Sequence, residues 1–122
     1  MRAALVTLWS VKPDPECHHP TAPSPREGRA ASTLERAAAL LRAAGDVPRL
    51  ELLERLHAGE ACVSELAAES REGLSTVSQR LKVLLQAGLV RRRREGKHVY
   101  YGLADDHVFA LLQSVLDHAE EG

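Results

Sequence analysis

The sequence predicts a mainly α-helical fold with one small β-hairpin, and three observations lead to this prediction. Aliphatic residues recur at helical spacing along most of the chain after residue 30. Aromatic residues make up only 3% of the 122 residues, so the core must consist of Leu, Val and Ala, which favour helices. One short basic segment has the alternation and the turn typical of two paired strands. A chain of this length holds one domain.

Residues 1–30 are predicted to form a flexible, proline-rich arm. Five of the six prolines lie between residues 12 and 28, where they exclude a regular helix or strand. The arm also carries Cys17, His18 and His19. The two cysteines are too few for a disulfide scaffold. Since no apolar run has the length of a membrane span, we expect a cytoplasmic protein without a membrane partner.

Residues 31–122 are predicted to form the folded domain, which begins with two amphipathic helices. Ser32 or Thr33 is expected to cap the first helix, over residues 34–44. Asp46 is expected to cap the second helix, in which leucines recur at three-residue spacing and which ends at Gly59. Both helices have the apolar periodicity of elements that pack by one face.

Two further helices enclose a tight turn. A short third helix is predicted over residues 63–69, and a polar turn over residues 70–73 follows it. The fourth helix begins near Leu74 and is closed by Gly88. One face of this helix carries an apolar stripe that starts with Leu74. The opposite face is polar, with Ser75, Thr76, Ser78, Gln79 and Lys82.

The rest of the chain is predicted to form the hairpin and a final helix. Residues 89–94 and 97–103 read as strands joined by a turn at Glu95 and Gly96. The final helix is capped by Asp105 and runs close to the C-terminus. A helix, a tight turn, a second helix and a basic hairpin, in that order, predict a winged helix-turn-helix fold.

Charge is segregated along the chain, although the formal net charge is only −1. Residues 71–98 contain eight basic and two acidic residues, whereas residues 103–122 contain five acidic residues and no Lys or Arg. The basic segment predicts a nucleic-acid surface, and the scarcity of aromatic residues excludes base-stacking platforms. Alternatively, the arginines only solvate an edge strand. The residues expected to contact DNA are Ser75, Thr76, Ser78, Gln79, Arg80, Lys82, Arg92, Arg93, Arg94 and Lys97.

The final helix carries histidines and acids at a spacing that suits metal binding between two chains. His107 and His118 share a helix face but differ by about 16 Å along the axis, so one ion cannot bind both in one chain. Two antiparallel copies in a two-fold dimer would form two sites, each with Asp105 and His107 of one chain and His118 and Glu121 of the other. Such a ligand set suits tetrahedral zinc. Alternatively, these residues merely decorate a polar helix face.

These motifs resemble the ArsR/SmtB family of metal-responsive repressors. The resemblance extends over roughly residues 33–122 and is carried by ACVSELA at 61–67, LSTVSQRLKVL at 74–84, GLV at 88–90 and GKHVYY at 96–101. The sequence departs from the family in the turn at residues 70–73, where an apolar residue and glycine are usual. The resemblance implies a homodimeric repressor, not an enzyme, that leaves its operator on binding zinc, or cadmium, cobalt or lead.

The resemblance also bears on the ligands. The four residues at the ends of the final helix match the family's zinc site there. Cys62 occupies the position of a thiolate ligand in a second family site, and Glu65 that of a carboxylate ligand. Cys17, His18 and His19 on the arm are further candidates for this second site. Alternatively, Cys62 is a small buried hydrophobe. A different function remains open, namely a thiol-based redox-sensing repressor that uses Cys17 and Cys62.

Overall fold

The described part of the chain, residues 28–122 of a computed structural model, contains five helices and a three-stranded antiparallel sheet. This architecture confirms the predicted mainly α-helical fold with a hairpin. Cys17, His18 and His19 lie outside the described residues. Residues Leu34–Gly122 form one compact unit. In chain order the elements are α1 (Ala31–Ala44), α2 (Val47–Ala58), β1 (Ala61–Cys62), α3 (Val63–Ser70), α4 (Leu74–Gln86), β2 (Val90–Glu95), β3 (His98–Leu103) and α5 (Asp106–Glu121).

The first two helices differ in how they begin. α2 begins as predicted, because the Asp46 carboxylate accepts a hydrogen bond from the backbone N–H of Arg49 at 3.1 Å. α1 begins at Ala31, so the predicted cap at Ser32 or Thr33 is wrong and both residues lie inside the first turn. The first turn of a helix tolerates Ser and Thr, since its N–H groups have no partner within the helix.

An aliphatic core joins α2, α3, α4 and the sheet. α4 contributes its apolar stripe to this core, which fixes the rotation of the helix about its axis. Leu74, predicted as the start of the stripe, is 56% exposed because it is the first residue of the helix and precedes the packed turns. The largest fully buried side chains are those of Leu53, Leu66, Val77, Leu81, Leu84 and Leu89.

The hairpin is present, with its turn one residue later than predicted. β2 and β3 pair antiparallel with Glu95 opposite His98, so Glu95 belongs to the strand. The two-residue loop is therefore Gly96 and Lys97 rather than Glu95 and Gly96. Gly96 has a φ of +64° at the first loop position, where type II′ turns require glycine.

A third strand, β1, was not predicted from the sequence. It is only two residues long, with Ala61 opposite Tyr101 and Cys62 opposite Tyr100 of the central strand β3. A strand this short has no periodicity that a sequence pattern could reveal. Its position brings the segment between α2 and α3 alongside the hairpin.

α5 is attached to the rest of the unit through its first half. As predicted, Asp105 caps the helix by accepting a hydrogen bond from the backbone N–H of Val108 at 3.0 Å. Val108 and Leu112 are buried, and the ring of Phe109 stacks on His57 of α2 with 3.8 Å between centroids. The second half of the helix is mostly exposed. None of the helices in the described range combines the length and apolar character that a membrane span requires.

Candidate nucleic-acid interface and metal-ligand pairs

α4 presents a polar surface beside the basic hairpin. Four of the side chains predicted to contact DNA from this helix are exposed, and Thr76 and Arg80 are half-buried. Short hydroxyl and amide side chains can bond base edges in a major groove. Because the opposite face of α4 is held in the core, this polar surface has a fixed orientation. The four exposed side chains are Ser75, Ser78, Gln79 and Lys82.

The turn before α4 contains an ion pair and a residue in an unusual backbone conformation. Nη1 of Arg80 lies 3.3 Å from Oε2 of Glu72 in the turn. Arg71 adopts the left-handed conformation with φ 63° and ψ 26°, and is the only non-glycine residue between 28 and 122 with positive φ. Glycine is favoured in this conformation because it has no Cβ. The turn thus places a non-glycine residue in a conformation that favours glycine.

The arginines of β2 project from two opposite faces, because strand side chains alternate. Arg91 and Arg93 share a face with Glu60, which lies between α2 and β1. Nη1 of Arg91 is 2.8 Å from Oε2 of Glu60, and Nη2 of Arg93 is 2.7 Å from Oε1. Arg92 and Arg94 are on the other face and are exposed.

Among the arginines of β2, Arg93 contacts two carboxylates and one aromatic ring. Its Nη1 is 3.0 Å from Oε1 of Glu95, and its guanidinium lies 5.0 Å from the centroid of the Tyr100 ring. Hydrogen bonds from Arg93 and from Arg91 lower the pKa of Glu60 from 4.5 to about 2. The same bond to Glu60 raises the pKa of Arg93. A Cβ at Gly102 would lie 3.0 Å from Cγ of Glu60, so glycine leaves room for the carboxylate over the sheet.

Sequence reasoning groups Arg93 with the DNA-contacting arginines and does not single out Glu60. The structure instead places Arg93 between two carboxylates, whereas Arg92, Arg94 and Lys97 have no carboxylate partner among residues 28–122. No sequence pattern identifies Glu60, because its proximity to the hairpin depends on the short strand that follows it.

Each end of α5 holds one histidine and one carboxylate. Oδ2 of Asp105 lies 3.9 Å from Nδ1 of His107, and Nδ1 of His118 lies 3.9 Å from Oε1 of Glu121. The side chains of His107 and His118 are 97% and 89% exposed. Two ligands of a tetrahedral zinc ion with bonds of about 2 Å lie about 3.3 Å apart. A small rotation of these exposed side chains brings either pair to that separation, so each pair fits two positions of a zinc ion.

One chain alone does not complete such a site within its described residues. Residues 28–122 contain no group of three or more His, Cys, Asp or Glu side chains that could hold a metal ion. Asp105 also has a structural role, because its Oδ1 caps the helix while Oδ2 faces His107. A four-ligand site at α5 would therefore need two ligands from a second chain.

The second candidate site is described only at the start of α3. Cys62 is half-buried, and its Sγ lies 3.2 Å from Oγ of Ser64. Oε1 of Glu65 accepts a hydrogen bond from the backbone N–H of Cys62 at 3.0 Å, and this bond lowers the pKa of Glu65. The structure thus brings Cys62 and Glu65 together. The other candidates for this site, and the thiol pairing of Cys62 with Cys17, stay predictions because they involve Cys17, His18 and His19.

A helix-turn-helix with an outward polar second helix and a basic hairpin defines a winged helix-turn-helix DNA-binding domain. Residues 46–92 match the profile of the bacterial regulatory protein arsR family. The chain belongs to this family, whose members are DNA-binding transcriptional regulators rather than enzymes. The resemblance found in the sequence is thereby confirmed.

Individual relatives and a solved structure agree with this assignment. The chain is 37% identical over 106 residues to the HTH-type transcriptional repressor SmtB of Mycobacterium tuberculosis, covering 87% of this chain and 75% of that protein. It is 44% identical over 79 residues to a transcriptional repressor SmtB homolog of Synechocystis sp., covering 65% of this chain and 60% of that protein. A homodimeric winged helix-turn-helix DNA-binding domain from Mycobacterium bovis superposes with a TM-score of 0.73 at 34% identity, covering 82% of this chain and 90% of that chain.

Proposed function

We propose that this chain is a metal-sensing transcriptional repressor that binds operator DNA as a homodimer and releases it on binding zinc or a similar divalent ion. The observation that carries the proposal is the His–carboxylate pair at each end of α5, each pair suited to half of a tetrahedral site. Because bacterial operators lie in the cytoplasm, the proposal places the protein there.

DNA binding would use α4 and the outward face of the hairpin. The polar surface of α4 supplies hydroxyl and amide groups for base edges, and Arg92, Arg94 and Lys97 supply cations for phosphates. A two-fold dimer would present two copies of α4 to successive major grooves of one duplex.

The dimer is supported by apolar side chains that the single chain leaves in water. Leu34 and Leu41 on α1 are each 57% exposed, and Phe109 and Val115 on α5 are 44% and 46% exposed. Burying such residues against a second copy is favourable, and two antiparallel copies of α5 would bring unlike ends together. The homodimeric domain from Mycobacterium bovis has the same fold.

The metal would be held by Asp105 and His107 of one chain with the partner's His118 and the partner's Glu121. Two nitrogen and two oxygen donors suit zinc, and cadmium, cobalt and lead are alternatives decided by geometry and availability. Joining the two chains at these residues would favour one dimer arrangement over another and so change the spacing of the two copies of α4. By linkage, DNA must weaken metal binding by the factor by which metal weakens DNA binding, and such coupling is typically about 1–3 kcal/mol.

Fluorescence anisotropy tests the proposal with a duplex that the metal-free protein selects from a random library. We expect zinc to weaken binding of the wild type about 5- to 150-fold, the range of a 1–3 kcal/mol coupling. His118→Ala should bind the duplex normally without metal and lose the zinc response. Asp117→Asn is the matched control. Asp117 is exposed on α5 and accepts a hydrogen bond from Nε2 of Gln113 at 3.2 Å, and it is not one of the proposed ligands.

Unchanged DNA affinity of the wild type on adding zinc, cadmium, cobalt or lead would refute metal sensing. A wild type that responds to metal while His118→Ala responds equally would refute the α5 site. Loss of the response in Asp117→Asn as well would show that the helix, rather than the ligand, had been disturbed.

A further inference from the structure

The hairpin carries five basic residues, Arg91 to Arg94 and Lys97, but only some of this charge is available to a ligand. Two carboxylates lie against one face of β2. Glu60 accepts from both Arg91 and Arg93 at 2.8 Å and 2.7 Å, and Glu95 accepts from Arg93 at 3.0 Å. The other face of the strand, with Arg92 and Arg94, has no ion pair in the described structure. The two faces of one strand therefore differ in their available positive charge.

We propose that Glu60 shields Arg91 and Arg93 from DNA phosphates, so that the hairpin contacts DNA through its opposite face. This inference rests on the proposed function, because it assumes that the hairpin meets DNA. It assigns a role to a residue that lies outside both α4 and the hairpin.

The backbone of Glu60 is fixed in the folded structure by buried residues before and after it. It follows α2, in which Leu56 is 3% exposed, and precedes Ala61, which is fully buried in β1. Gly102 on the central strand leaves the space that the Glu60 side chain occupies. The buried residues on either side of Glu60 therefore fix its backbone beside the hairpin, and the space at Gly102 lets its carboxylate reach the arginines.

The two shielded arginines would reach phosphates if they were released. Their side chains are 51% and 44% exposed, so a long guanidinium without a carboxylate partner can extend into solvent. Phosphate contacts strengthen binding to every sequence equally, because they carry no sequence information. Shielding two cations per chain therefore lowers the affinity for DNA of any sequence and makes binding less dependent on salt.

The salt dependence of DNA binding measures this shielding directly. The logarithm of the binding constant falls with the logarithm of salt concentration by about 0.9 for each phosphate that a protein cation contacts. The probe is a short labelled duplex of mixed sequence, so no operator is needed. We expect Glu60→Gln to steepen the slope by about 1 to 2 per chain. Glu54→Gln, which removes the same charge from an exposed position on α2, should leave the slope unchanged.

Arginine variants identify which side chain is released. In the wild-type background, Arg92→Ala should make the slope shallower by about 1 per chain, whereas Arg91→Ala should leave it unchanged. In the Glu60→Gln background, Arg91→Ala should return the slope toward the wild-type value. A purely structural role of Glu60 would not produce this background-dependent effect, and circular dichroism would verify that each variant is folded.

Three outcomes would overturn the inference. Glu60→Gln could fail to steepen the slope beyond Glu54→Gln, or Arg91→Ala could already flatten it in the wild type. The third outcome is a wild type that binds no duplex at any salt concentration, which would overturn the proposed function together with this inference. The first two outcomes leave DNA binding itself intact, so failure of this inference can be distinguished from failure of the proposed function.

Discussion

The DNA-facing region and the ends of α5 differ in how completely one chain builds them. α4 is fixed by buried residues such as Val77 and Leu81, and the hairpin is held by Glu60. The ligand pairs on α5 instead project into water, with His107 and His118 exposed at 97% and 89%. One chain therefore builds the whole of the proposed DNA-facing surface but only half of each proposed metal site.

This difference suits a sensor, since a site shared between chains responds to how the chains are arranged. An ion whose ligands all lie on one chain, in a site that is the same in both dimer arrangements, would favour neither arrangement. An ion bound by both chains discriminates between arrangements, and this discrimination is the only source of coupling to DNA. Four predictions test the contrast between a rigid DNA-facing region and exposed ligand pairs.

The largest effect is expected in the core beneath α4. Leu81→Ala should lower the free energy of unfolding by about 2–5 kcal/mol, because it leaves a cavity beneath α4. Val83→Ala is the control on the same helix, since Val83 is 37% exposed and its truncation should cost less than about 1 kcal/mol. Urea unfolding followed by circular dichroism measures both. Equal costs for the two variants would show that α4 is not anchored as described.

Asp105 combines a structural role with a proposed ligand role, because it caps α5 and also belongs to one of the His–carboxylate pairs. Asp105→Ala should lower stability by about 1 kcal/mol through loss of the cap, and should also weaken zinc binding. Asp105→Asn should keep the stability, since Asn caps helices as well as Asp, yet weaken zinc binding. Thermal unfolding of the metal-free protein and a zinc titration separate the effects. An Asp105→Asn variant as unstable as Asp105→Ala would contradict the capping role.

The sequence predicts those parts of the molecule that depend on local patterns. Helical periodicity placed α4, and cap chemistry placed Asp46 and Asp105 at helix starts, because these signals involve residues a few positions apart. The hairpin was found, with its turn shifted by one residue, because Glu95-Gly96 and Gly96-Lys97 both resemble turn sequences.

Features that depend on distant parts of the chain were not predictable in this way. Glu60 precedes Arg91 and Arg93 by about thirty residues, and only the pairing of β1 with β3 brings them together. The proximity of a histidine and a carboxylate at each end of α5 was predictable for the opposite reason, since the two residues of each pair are only a few positions apart. Assembly of these pairs into a site depends on a second chain and stays a prediction.

A third prediction concerns the pH dependence of stability and tests the ion pairs between Glu60 and the arginines of the hairpin. Because its folded-state pKa is lowered from 4.5 to about 2, Glu60 stabilises the fold above about pH 4.5, and this contribution is lost as the pH falls toward 2. Partial exposure limits the effect to about 1 kcal/mol. Glu60→Gln should therefore lose less stability than the wild type between pH 5 and pH 2.5, as measured by urea unfolding. Parallel curves for the two proteins would contradict the ion pairs.

The smallest effect is expected in the turn before α4, where Arg71 holds a left-handed backbone conformation at φ 63°. Arg71→Gly relieves the clash of the Cβ with the backbone but increases the freedom of the unfolded chain, so a net gain of about 0.5 kcal/mol is expected. Arg71→Ala is the matched control, because it removes the same charge and side chain while keeping the Cβ. Thermal unfolding should rank Arg71→Gly above Arg71→Ala. The reverse order would mean that the turn is not strained, and that the DNA-facing region tolerates this departure from the usual family sequence at no cost in stability.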